Sequence, residues 1–304
     1  MKENMYAYIN PGVIHFMAYP STIKGEGPIL ETLEKIAVDD FFGAIELTWI
    51  KDQATREEAK KLLEASHLDV YYGAQPRLLT TGLDLNSFNP EERKKAVATI
   101  KEGVDEAIEL GAKAIAFLSG KNVEGERKAE AIDLLVDSLN QICAYARSRK
   151  KDLGVVLEIF DYDVDKCSLV GPVAVAREVA ERVTVEYDNF GLMVDLSHLP
   201  LLRESAEESI IPIKDYLVHI HIGNGVMERE HPAYGDSHPR FGLTGGANDV
   251  DELVEFLRVL IDIGYLDGKE AKTVSFEVKP LAGESSEVIL ANAKRTLRKA
   301  WAKL

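Results

Sequence analysis

Cysteine is nearly absent: Cys143 and Cys167 are the only two in 304 residues. Two unclustered thiols make neither a disulfide framework nor a zinc knuckle, and such usage fits a reducing cytosol. Cys143 lies in an amphipathic run, LLVDSLNQICAYA, and reads as core. Positive charge is also short, with 36 Lys and Arg against 51 Asp and Glu, a net charge of −15. That balance repels phosphate backbones and argues against long nucleic acid as a partner, while leaving room for a small substrate. No run of about 18 apolar residues is present to span a membrane. The opening MKENMYAYINPGVIHFMAYP lacks a long apolar stretch followed by a small-residue cleavage site. No signal peptide is therefore expected, and the expected location is cytoplasmic.

What is present is alternation. Apolar residues make up 46% of the chain, enough for a sizeable core. They gather in eight short segments, 12–19, 43–50, 69–75, 112–120, 154–161, 191–198, 216–223 and 272–280. Each is rich in β-branched or aromatic residues, as suits strands buried on both faces of a parallel sheet. Between them, 28–40, 55–66, 90–111, 124–151, 173–183, 249–264 and 286–304 repeat apolar residues at three and four, the helical spacing. After the sixth strand a helix is placed only loosely, within 201–213. Asn89-Pro90 and Asp249 are expected starts, and Gly111 and Gly264 expected stops. Eight strands, each followed by a helix, predict a (β/α)₈ TIM barrel. The competing open doubly wound sheet lacks its Gly-rich loop after the first strand. No linker, repeat or low-complexity tract divides the chain, so residues 1–304 are read as a single domain.

A barrel carries its chemistry at the carboxyl ends of its strands. Four consecutive strands, five to eight, place a carboxylate or imidazole there: Glu158 in VVLEIF, Asp195 in LMVDLSH, His221 in HIHIG and Glu277 in VSFEVK. Crowded carboxylates raise one another's pKa, and a divalent cation removes the repulsion. Three oxygen donors and one imidazole suit Mn²⁺, Mg²⁺, Co²⁺ or Zn²⁺. His219 shares a face with His221 but lies one pleat deeper. It is read as an interior residue bonded to a neighbouring strand's polar group, with an orienting role as the alternative. His15, flanked by Ile14 and Phe16, is read as a satisfied core histidine. The long connection 223–248 holds a second cluster, Asp236, His238 and Arg240, among glycines and aromatics that suggest a packed loop.

These residues resemble the xylose-isomerase-like barrel superfamily, which includes sugar isomerases, ketose 3-epimerases, inosose-processing enzymes and zinc-dependent apurinic endonucleases. The resemblance runs through the strand order and is most specific in LEIFD, GLMVDLSH, HIHIGN and SFEVKP. It implies one divalent metal held by Glu158, Asp195, His221 and Glu277, with His198 touching substrate or a further zinc. A second metal at His198, Asp236 and His238 is the extra possibility it opens. Two positions depart from the ketose 3-epimerase pattern. Val164 stands where a substrate-binding Glu is usual, and Met227 where an Arg is usual. Gln75 and Ser119 replace histidines of the endonucleases. The HPxYGDxHPRFG loop is similar to one in catalytic subunits that cleave C-glycosides after oxidation to a 3-keto form.

The resemblance implies proton abstraction next to a carbonyl, through an enediolate, on a sugar or keto-sugar. No phosphate cradle is evident, so a non-phosphorylated substrate is expected. Glu158 and Glu277 are the expected proton-transfer pair, and His198 joins them as a catalytic residue. His198, Asp236, His238, Arg240, Glu46, Trp49, Gln75 and Arg77 are expected to bind substrate or line the pocket. The alternative is β-elimination from a 3-keto glycoside, with a small companion subunit. A non-catalytic sugar-binding barrel and an endonuclease-like hydrolase are more remote. A homo-oligomer is expected, as is common for barrels of this type.

Overall fold

The computed structural model describes residues 3–304. Eight parallel strands form its centre: β1 (Ile9–Val13), β2 (Ala44–Leu47), β3 (Asp69–Gly73), β4 (Ala114–Leu118), β5 (Gly154–Glu158), β6 (Phe190–Asp195), β7 (Leu217–Gly223) and β8 (Lys272–Glu277). From β2 to β8 each pairs with its sequence neighbour, and β1 pairs with β8. The seam between β1 and β2 is held by Gly43 N–H donating to Pro11 O at 2.9 Å and a bridge between Ile14 and Glu46. The result is the expected (β/α)₈ TIM barrel. All six residues of β6 are buried, because helices cover the outside of the barrel and side chains fill its inside.

The outer ring is α1 (Ile29–Ala37), α2 (Gln53–Ser66), α3 (Pro90–Glu109), α4 (Lys128–Arg149), α5 (Val173–Val183), α6 (Ala206–Ile210), α7 (Val250–Asp262) and α8 (Ser286–Lys303). Local chemistry sets their ends. Asn89 caps α3 by accepting from Glu91 N–H at 3.0 Å, and Asp249 with Glu252 makes a reciprocal capping box at α7. Gly111 and Gly264 follow α3 and α7 with φ of 79° and 77°, a left-handed conformation that glycine adopts without strain.

One expectation is corrected. The first strand is Ile9–Val13, not 12–19, and His15–Ala18 is a short helix. A short apolar run has no period that separates strand from buried helix. Pro11 inside β1 further disguised the true strand. His15 therefore leaves the barrel wall and meets Thr32 Oγ1 on α1 at 2.7 Å. Burial pushes its pKa down to about 4, so it is a neutral, satisfied core histidine. After β6 the loosely placed helix within 201–213 is the short α6. Short pieces at Leu199–Leu202 and Ile211–Ile213 flank it; Arg203, at φ 62°, ends the first, and Pro212 opens the last. Among the described residues, no helix is long and apolar enough to cross a membrane.

Candidate metal centre

The ends of β5 to β8 bring Glu158, Asp195, His221 and Glu277 together, with ligand atoms all within 4.8 Å of one another. His221 is the hub. Its Nδ1 lies 2.8 Å from Glu277 Oε2 and 3.5 Å from Glu158 Oε1. Gln75 donates to Glu158 Oε2 at 2.7 Å, and Ser197 N–H donates to Asp195 Oδ1 at 2.7 Å. Each carboxylate thus has one oxygen tied. Glu158 Oε1 and Asp195 Oδ2 are buried and have no hydrogen-bond partner. Orphaned buried carboxylate oxygens are costly, and two facing one imidazole make a donor set that fits a hard or borderline divalent cation.

A second group adjoins the first. Asp236 Oδ1 lies 3.1 Å from His198 Nε2 and 2.7 Å from His238 Nε2, and His238 Nε2 is 3.3 Å from Glu277 Oε1. Asp195, His198 and His238 also fall within 4.8 Å of one another. His198 Nδ1–H donates to Ile159 O at 2.8 Å, which turns Nε2 toward Asp236.

The loop that delivers Asp236 and His238 is tied down on both sides. Asn224, from the Gly-Asn-Gly after β7, donates to Arg240 O at 2.9 Å and accepts from Asn248 N–H at 2.7 Å. Gly223 permits the approach, because a Cβ there would sit 2.5 Å from Glu277 O. Across the site, Asp161 accepts backbone N–H bonds from Val164, Asp165, Lys166 and Cys167. That loop presents Lys166, whose ammonium lies 2.8 Å from Asp236 Oδ2.

Electrostatics follow from this crowding. Burial raises the Glu277 pKa to about 7. Burial alone would lower the His198, His221 and His238 pKa values, but carboxylates reverse it: Asp236 chiefly for His198 and His238, Glu46 chiefly for His221. His238 reaches about 9. The cluster draws positive charge onto whatever can carry it.

A cavity of about 170 Å³ opens onto the centre. Glu46, Gln75, Lys166, His221, Asp236, His238 and Glu277 supply its polar lining, and Phe16, Met17, Leu79 and Phe160 its apolar lining. Of the residues expected from sequence to bind substrate, His198, Trp49, Arg77 and Arg240 do not line it. Trp49 donates its indole N–H to Ile23 O at 3.0 Å. Arg77 is drawn outward to Glu106 on α3 and to Tyr72 Oη. Arg240 pairs with Glu284 at 3.1 Å and donates to Gly242 O. Glu46 touches the cavity, yet its carboxylate is engaged by His219 at 2.7 Å and His221 at 3.0 Å. Sequence reasoning missed Lys166, Phe16 and Phe160. The acid-rich DYDVDK turn after β5 was the available signal for Lys166, since a buried lysine needs such partners.

The sequence profile of the xylose isomerase-like TIM barrel family matches residues 36–291. The chain belongs to that family. Solved structures to which the chain is similar include a D-tagatose 3-epimerase-like protein, 18% identical, with a TM-score of 0.71 over 97% of this chain and 99% of that one. The zinc-bound IOLI protein is 16% identical, with a TM-score of 0.70 over 96% and 98%. The 3-keto-D-glucoside 4-epimerase of E. coli is 17% identical, with a TM-score of 0.65 over 95% and 99%. At such identities the likeness is one of fold. No curated protein sequence matches the chain.

Proposed function

We propose that this protein is a divalent-metal-dependent isomerase or epimerase of a non-phosphorylated sugar or keto-sugar. The observation that carries the reading is the pair of buried, unpaired oxygens, Glu158 Oε1 and Asp195 Oδ2, beside His221 Nδ1 and Glu277. The names of the structural relatives, sugar epimerases among them, support the substrate class. Glu158, Asp195, His221 and Glu277 would hold Mn²⁺, Mg²⁺, Co²⁺ or Zn²⁺. Bound there, the ion supplies Lewis acidity to a carbonyl and its neighbouring hydroxyl.

The chain's own groups do the rest. Glu277 faces the cavity, where it can take a proton from carbon and return it. Glu158 is the opposing member of the pair: Oε1 would ligate the ion, and Oε2, which Gln75 orients, would exchange the proton. His238 lines the cavity and hydrogen-bonds or protonates the substrate's oxygens, while His198 meets Asp236 from behind. Phe16 and Phe160 cover the apolar face of the sugar and exclude water, the part that Trp49 does not play here. Lys166 already neutralises Asp236, so the His198–Asp236–His238 group is assigned to substrate rather than to a second ion.

The test is incubation of the metal-loaded protein with keto-sugars in deuterated water. Deuterium entering at the carbon next to the carbonyl, and lost on chelation, is the expected result. No exchange with any keto-sugar sinks the reading. One feature favours a second reading, β-elimination from a 3-keto glycoside: the acid group of Asp236 and His238 at the cavity wall can protonate a leaving oxygen or carbon. Release of the aglycone, rather than a sugar epimer, distinguishes it.

A further inference from the structure

The two histidines of LVHIHIG point to one side of β7 and meet the same carboxylate. Glu46, at the end of β2, is buried, with 2% of its surface exposed. Its Oε1 lies 2.7 Å from His219 Nε2, and its two oxygens lie 3.1 and 3.0 Å from His221 Nε2. A carboxylate placed between two imidazole nitrogens is an acceptor from both. The other nitrogen of His221, Nδ1, faces Glu158 and Glu277. His219 is itself immobilised: its ring packs on Tyr71 with centroids 4.6 Å apart, and Tyr71 Oη is 3.0 Å from Thr273 Oγ1 on β8.

We infer that Glu46, braced by His219, is a positioning residue that fixes the proton of His221 on Nε2 and turns the Nδ1 lone pair toward the Glu158–Asp195–Glu277 oxygens. A neutral imidazole has one donor and one acceptor nitrogen, so an acceptor fixed at Nε2 determines which nitrogen binds a cation. A negative partner behind the ring also raises its basicity as a ligand. This role accounts for the expense of burying Glu46 where sequence reasoning placed a substrate-binding group. His219 is then the brace that keeps the Glu46 carboxylate from turning into the cavity.

The inference rests on the metal-centre reading, and one set of measurements separates their failures. The first is ¹⁵N-histidine NMR of the Zn²⁺-loaded protein, which requires no variant. Nδ1 of His221 should show the ligand shift and Nε2 should carry the proton. The reverse assignment overturns the inference. The second is metal affinity by chelator competition. Glu46→Gln should weaken Zn²⁺ or Mn²⁺ about 10–100-fold, the range typical of such outer partners. His219→Gln should weaken it less. Unchanged affinity in a folded Glu46→Gln protein overturns the inference and leaves the metal centre standing. If the original protein binds no divalent ion, both fall together.

Discussion

Two clusters of charge are buried in this barrel, and they differ in whether they close on themselves. Outside β2 and β3, Arg56 and Arg77 meet Glu106 and Glu109 of α3. Opposite charges are matched, and Glu106 Oε1 accepts Ile50 N–H at 2.6 Å while Oε2 takes both arginines. At the carboxyl end, Glu46, Glu158, Asp195, Asp236 and Glu277 face one ammonium, Lys166, and four imidazoles. There, three carboxylate oxygens, Glu158 Oε1, Asp195 Oδ2 and Asp236 Oδ1, have no hydrogen-bond partner, whereas in the outer cluster no carboxylate oxygen is orphaned and Arg56 Nε alone lacks a hydrogen bond, 3.2 Å from Glu109 Oε2. A closed network is what structure alone requires. An open one leaves donors free for the cation proposed above.

The comparison breaks most sharply on activity. Glu158→Gln should lower proton exchange on the true substrate about 10²–10⁴-fold, the usual contribution of a positioned acid or base. Metal content by elemental analysis should fall with it. Arg77→Met should leave metal content unchanged. It should instead cost about 3–5 kcal/mol of stability, because Glu106 is left buried with one partner fewer. Chemical denaturation of the two variants reads both halves. A Glu158→Gln protein that keeps its metal, or an Arg77→Met protein that loses it, removes the distinction.

The same contrast explains what the sequence disclosed. Glu158, Asp195, His221 and Glu277 were legible because each interrupts an apolar strand at its carboxyl end, where period and position both have meaning. Arg77 and Trp49 stand at equally suggestive places, but long side chains reach either way. What drew Arg77 outward was Glu106, a lone acid on the buried face of α3 among Ile100, Val104 and Ala107. That acid was itself a visible signal of a partner. Gln75, the first residue of the short helix after β3, reaches Glu158 directly and lines the cavity. The β1 boundary failed for a different reason: VIHFMAY is apolar throughout and carries no period.

The open cluster should also betray itself through pH. Glu277 has a folded pKa of about 7 against an ordinary 4.5, raised by burial. A carboxyl whose folded pKa is raised contributes stability that is fully present below 4.5 and lost as pH rises through 7. The metal-free protein should therefore lose about 3 kcal/mol through this group across that window. In Glu277→Gln the loss should be absent. Added divalent metal should restore the original protein at pH 7 and not the variant. A flat pH profile in the metal-free original protein would place the strain elsewhere.

The smallest effect sharpens the closed cluster. Glu109 pairs with Arg56 at 3.2 Å, but its side chain is 35% exposed, against 6% for Glu106. Water screens the pair and solvates whatever is left behind, so Glu109→Gln should cost under about 1 kcal/mol. Glu106→Gln, one turn earlier on α3, weakens the acceptor that two guanidinium groups share and should cost several times more. Equal losses in the two variants would mean that helix packing, not charge matching, holds this cluster. The contrast with the metal centre would then reduce to burial alone.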